Sequence, residues 1–271
     1  MAALRANWRA TADSAAASYR RPWLPRPVVV SPHCWHSRPG CNTGPPARLP
    51  VVPTPPLAAA ATAALLAVCC VALTPLLLSW LPAPQEAPQV RFDKLATRRF
   101  RLLTLGITAS LGWLCLTLID PSLWPVWLPL ISLGTVLGLI DAQTTFLPFR
   151  LSYLTLTLVS LGALASAWLR SDPWSLVWAA AGSATAAGLF WLLWRFSGEK
   201  FGFGDVRLAA VLGVVGGATS PQVLYWMFLL GTLIGAIWAI VVRLQGRHQF
   251  AYGPALLLGA PAALLLNAAL S

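Results

Sequence analysis

Residues Leu57 to Leu81 read LAAAATAALLAVCCVALTPLLLSWL, a stretch without a single charged side chain. A hydrocarbon layer about 30 Å thick needs about 20 such residues in a helix, the one local structure that pairs all its own backbone groups there. Seven further apolar runs follow: Leu102 to Ile119, Leu123 to Ile140, Leu151 to Leu169, Trp174 to Trp194, Val206 to Gly217, Val223 to Leu244 and Phe250 to Leu270. The sequence therefore predicts an all-α, polytopic membrane protein of about eight transmembrane helices. The sixth run rises only about 18 Å as a helix, so it is tilted, extended past Gly217, or open to water at one end. Trp80, Trp124, Trp127, Trp168, Trp174, Trp191 and Trp194 stand near run ends, as interfacial anchors do. Lipid-facing bulk accounts for them equally well.

Composition points the same way. Hydrophobic residues make up 57% of the 271 and charged residues 10%, against about 25% charged in soluble domains, which excludes a soluble enzyme. A net charge of +11 on a soluble surface would point to nucleic acid. In a chain this apolar the expected partner is membrane lipid, with no nucleic acid, and the basic residues set orientation. Alternate connections hold Arg91, Lys94, Arg98, Arg99 and Arg101; Arg150; Arg195, Lys200 and Arg207; and Arg243 and Arg247. The opposite side has Arg170 alone, so the rule that cytoplasmic loops are basic puts the first group in the cytoplasm.

Three regions are expected: an Arg/Pro-rich disordered tail over 1–56, a first helix with a short basic loop over 57–100, and a membrane-embedded domain over 101–271. The tail carries seven arginines, yet helix parity puts it on the side where basic residues are otherwise scarce. It is either a translocated basic tail or upstream sequence outside the mature protein, with initiation near Val51; the charge conflict favours the second. Its His33, Cys34, His36 and Cys41 form a loose cluster that could bind a metal, though an Arg/Pro-rich tail without a CxxC pair favours none, and Cys69, Cys70 and Cys115 sit in apolar runs as small hydrophobes.

Carboxylates beside membrane segments are costly and therefore mark function by default. Asp120 and Asp172 precede prolines in turns that account for them, Glu199 neighbours Lys200 in a loop, and His248 lies in a basic loop. Asp141 and Asp205 differ. Asp141 ends the third run and Asp205 opens the sixth, so parity puts both on the basic side of the membrane. Asp205 would serve equally as a plain helix N-cap and Asp141 as a solvated helix end. Two carboxylates in one desolvated site, however, share a proton and titrate as a unit, supplying a base for water and an acid for a leaving amine. Gly202 and Gly204 flank Phe203 just before Asp205, and Gly253-Pro254 breaks the start of the eighth run. Glycines there permit close approach of a second chain, and three irregularities at one depth predict a water-filled cavity.

GLIDAQTTFLPFRLSY (Gly138 to Tyr153), FGFGDVRLAAVLGVVGG (Phe201 to Gly217) and FAYGPALLLGA (Phe250 to Ala260) together resemble, in order, the motifs of the type IV prepilin peptidases, membrane aspartic proteases of the Gly-x-Gly-Asp class. The resemblance covers roughly residues 100–270. It implies Asp141 and Asp205 as the catalytic pair, with Gly202, Gly204, Arg207, Gly253 and Pro254 around the substrate, and neither metal nor organic cofactor. The implied substrate is a prepilin or pseudopilin, cut on the cytoplasmic side after the glycine that ends its basic leader. Phe149 stands where relatives carry Asp or Asn, and Arg207 where they carry Lys. The connection Pro82 to Arg101 lacks the cysteine-rich insert that accompanies N-methylation, so the resemblance implies the peptidase activity alone. Alternatives are a presenilin-like intramembrane protease, since Pro254-Ala255-Leu256 also spells that class's motif, a proton-coupled transporter, and an inactive scaffold.

Overall fold

The computed structural model describes residues 56–83, 90–197, 202–246 and 251–270. The tail over 1–55, its His/Cys cluster, Glu199, Lys200, Arg247 and His248 lie outside the described residues. The described chain is all-helical: α1 Pro56–Trp80, α2 Arg98–Leu118, α3 Pro121–Thr144, α4 Phe149–Arg170, α5 Trp174–Phe196, α6 Phe203–Thr219, α7 Pro221–Leu244 and α8 Gly253–Leu270. All but α6 are long and apolar enough to cross a membrane, and the protein is a polytopic membrane protein.

Boundaries follow local chemistry. Thr97 caps α2 by accepting the Phe100 N–H, Asp120 accepts the Ser122 N–H at the start of α3, and Ser220 accepts the Val223 N–H to open α7. Asp172 likewise accepts the Trp174 N–H before α5, so both turn aspartates do what their prolines predicted. Within α3 a π-helical segment, Leu130–Gly134, follows Pro129, whose ring nitrogen has no hydrogen to donate.

The sixth helix is short because it is internal. Twelve of its 17 residues are buried, from Asp205 to Ala218, on every side of the helix. It runs two residues past Gly217, and packs chiefly on α5, α4 and α7. Small residues allow this: a Cβ on Gly213 would stand 2.5 Å from the Gly182 carbonyl oxygen, so the α5 and α6 backbones touch where neither has a side chain. The tryptophans divide. Trp168 and Trp174 are largely exposed, as anchors are, whereas Trp127 is fully buried and donates its Nε1–H to Thr219 Oγ1 at 3.0 Å. Its anchor role is corrected: it ties α3 to α6.

Candidate active site

The third helix does not end at Asp141. It continues through Thr144 and stops at Thr145, whose left-handed φ of 58° lets its N–H donate to the Asp141 carbonyl at 2.7 Å. The side chain of Thr144 then bridges the Ile140 and Phe146 backbones, and the chain runs through Pro148, in extended conformation, into α4. Asp141 is thus held one turn inside a helix, with a connecting segment folded beside it.

Asp205 is the third residue of α6, and the N-cap is Gly202, which has no side chain to cap with. The plain N-cap role for Asp205 is therefore not the one the fold uses. Its N–H donates to Gly202 O at 3.1 Å, and its carboxylate sits in the first turn of the helix.

Asp141 and Asp205 line one cavity of about 600 Å³, walled by Pro82 and Phe92 from the α1–α2 connection, the segment Thr145 to Arg150, and Gly202 to Asp205 with Arg207. Three of the connections that carry the basic residues thus meet at one end of the bundle. A Cβ on Gly204 would lie 2.7 Å from Leu147 Cβ, so glycine is what allows the start of α6 to touch the segment after Asp141.

Both carboxylates are nearly withdrawn from solvent, at 4% exposure for Asp141 and 9% for Asp205, and Asp141 acts electrostatically on Asp205. The Gly253 N–H donates to Asp141 Oδ2 at 2.9 Å. Arg207 is half-buried with its guanidinium 5.9 Å from the Tyr153 ring and 5.6 Å from the Phe203 ring, and its Nε has no hydrogen-bond partner among the described residues. Arg150 stacks on Trp80 and Phe149 and donates to the Trp80 carbonyl at 3.1 Å. Burial, and then the Asp205 charge, push the Tyr252 hydroxyl up to about 12, so it stays neutral beside the pair. This arrangement provides an acid, a base and room for water and an extended peptide.

Of the residues the sequence pointed to, Asp141, Asp205, Gly202, Gly204 and Arg207 share the cavity. Gly253 holds Asp141 through its N–H, and Pro254 lines a separate apolar cavity between α2, α3 and α8. Leu147 belongs to the Leu-Pro that follows Asp141 in the resembling stretch, but sequence reasoning gave no role to it, nor to Tyr153 or Tyr252. No spacing rule marks them, because each reaches the site through the packing of a different helix end.

Residues 128–240 match the type IV leader peptidase family. The leader peptidase match begins within α3 and ends within α7, so it includes Asp141, Gly202, Gly204, Asp205 and Arg207 and stops short of Gly253 and Pro254. The chain is also 30% identical over 155 residues to a prepilin leader peptidase/N-methyltransferase of Pectobacterium carotovorum subsp. carotovorum, an alignment covering 52% of this chain and 54% of that protein. This chain therefore spans about half the length of the relative it matches. No solved structure matches it.

Proposed function

We propose that this chain is a membrane aspartic endopeptidase that removes the basic leader of a prepilin or pseudopilin. The observation that carries the proposal is the burial of two carboxylates, from helices far apart in sequence, on one cavity wall, inside the segment similar to leader peptidases. The pair shares one proton. Its ionised member takes a proton from water as the water oxygen bonds to the scissile carbonyl carbon. Its protonated member delivers a proton to the departing nitrogen as the C–N bond breaks. Gly202 and Gly204 leave backbone open to an extended substrate, and Arg207 supplies positive charge beside it. Every step uses side chains of this chain and water, with no metal or cofactor.

The cavity lies in the inner membrane at its cytoplasmic edge, the side on which the basic connections fall. A leader rich in Lys or Arg stays on that side, while the apolar segment after the cut lies in lipid. The peptidase activity is the whole of the proposal, and N-methylation stands outside it. The domain division at residues 56 and 100 is part of the same reading, the dyad belonging wholly to the C-terminal portion. Co-expression with a prepilin tests it: wild type shortens the substrate, and Asp141→Ala and Asp205→Ala each leave it full length while still inserting in the membrane. Normal shortening by either variant overturns the dyad.

A further inference from the structure

We infer that Gly253 is a positioning residue of the pair: its backbone N–H fixes Asp141 as the ionised, water-activating carboxylate and leaves the shared proton on Asp205. This inference rests on the dyad reading given above and assigns unequal roles within it.

Gly253 is the first residue of α8, where a backbone N–H has no acceptor within its own helix and the helix dipole is positive. Here that N–H is committed, donating to Asp141 Oδ2 at 2.9 Å across 112 residues of sequence in a buried setting. A donor of this kind stabilises a carboxylate and offers nothing to a carboxylic acid's proton. Asp205 shares its cavity with that charge, and a second negative charge there is disfavoured.

The residue type follows from the same contact. A Cβ at position 253 would stand 2.7 Å from Asp141 Oδ2, 3.3 Å from Asp141 Cγ and 3.4 Å from Leu208 Cδ2. The tight contact is with the carboxylate oxygen itself, at the end of a side chain, so a side chain at 253 would push the carboxylate away from its donor. The absence of a Cβ keeps N–H and carboxylate in register.

Other charged or titratable groups surround the pair. On α6 stands Arg207, on α4 stand Arg150 and Tyr153, and before α8 stands the neutral Tyr252 hydroxyl. From the α1–α2 connection Arg91 and Asp93 pair with one another at 2.8 Å outside the cavity wall formed by Phe92. In the reaction, the water proton passes to Asp141 as the C–O bond forms, and the Asp205 proton passes to the leaving nitrogen as the C–N bond breaks. Transfer of the proton from Asp141 back to Asp205 restores the starting state.

The experiment replaces Gly253 by glycolic acid through nonsense suppression, turning the Tyr252–Gly253 amide into an ester that lacks the N–H and adds no atom in its way. Leader removal by the purified full chain is then followed against pH. The acid limb of kcat is expected to move upward by about one pH unit, a roughly tenfold loss of rate well below the limb, with the cleavage site unchanged. An acid limb at the wild-type position overturns the inference. Where the ester variant does not accumulate, Gly253→Ala takes its place: an upward shift supports the role, and a lower yield of protein with an unmoved limb overturns it. Asp141→Asn and Asp205→Asn run in parallel keep the two ideas apart. If both are inactive while the limb stays put, only the role assignment fails; if either cleaves normally, the dyad itself fails.

Discussion

Trp127 Nε1–H donates to Thr219 Oγ1 at 3.0 Å, joining the helix that carries Asp141 to the helix that carries Asp205 at the ends remote from both acids. The Trp127 ring is wholly buried, and the Thr219 hydroxyl donates onward to the Val215 carbonyl at 2.7 Å. The helices that carry the two aspartates are thus tied together at one end and opened by a cavity at the other. Trp127→Phe keeps most of the ring and removes the donor. We expect it to cost about 1 kcal/mol and to lower the unfolding midpoint in detergent by about 2–4 °C, with leader removal reduced in step. An unchanged midpoint would show that the bond contributes nothing.

Gly204 is where the start of α6 meets Leu147, and an added methyl would lie 2.7 Å from Leu147 Cβ. Gly204→Ala forces the segment after Asp141 away from Asp205. A displacement of about 1 Å in a catalytic group costs on the order of a hundredfold in rate, and that is the loss expected, with normal amounts of protein in the membrane. The double variant Gly204→Ala/Leu147→Gly removes the opposing atoms and should recover part of the rate. Rate assays on the single and double variants, normalised to membrane content, decide it.

Arg207 faces two aromatic rings and makes no ion pair among the described residues. If its charge serves to hold substrate, Arg207→Gln raises KM about tenfold while kcat stays within about threefold. Arg207→Lys keeps the charge but loses the planar stacking of guanidinium on the rings, and should fall between. Steady-state kinetics on a synthetic leader peptide separates these outcomes; a fall in kcat at constant KM would place Arg207 in the chemistry instead.

Rate against pH should be bell-shaped. At low pH both carboxyls are protonated and no base remains; at high pH both are ionised and no acid remains, so activity falls on either side. The two limbs belong to the pair and not to single residues. Initial rates across pH in detergent check this, and a single sigmoid would indicate that one carboxyl alone titrates in the reaction.

Much of this architecture is legible in the sequence because lipid imposes a simple rule: a spanning segment must be helical and apolar. The eight runs and the short sixth can be read directly, and the basic connections put Asp141 and Asp205 at one end. The shortness of α6 has its reason in packing, since a helix enclosed by others need not match the bilayer. Trp127 shows where the rule stops, because an indole at a run end looks the same in sequence whether it meets headgroups or a threonine on another helix. The apolar run stops at Asp141 and so suggests a helix end there, but Thr145 in a left-handed conformation closes the helix one turn later. The Gly253 contact is illegible for a further reason: its donor is a backbone N–H, and backbone leaves no mark on residue type beyond the missing Cβ.

The central claim is that Asp141 and Asp205 act together on the scissile bond. Its most direct measurement is single-turnover cleavage of a prepilin by purified wild type, Asp141→Asn and Asp205→Asn, with mass spectrometry locating the cut. Asparagine keeps the shape and removes the ionisable group. Each variant is expected to lose about a thousandfold or more in rate while binding substrate and unfolding as the wild type does. Cleavage at the wild-type rate by either one would contradict the account.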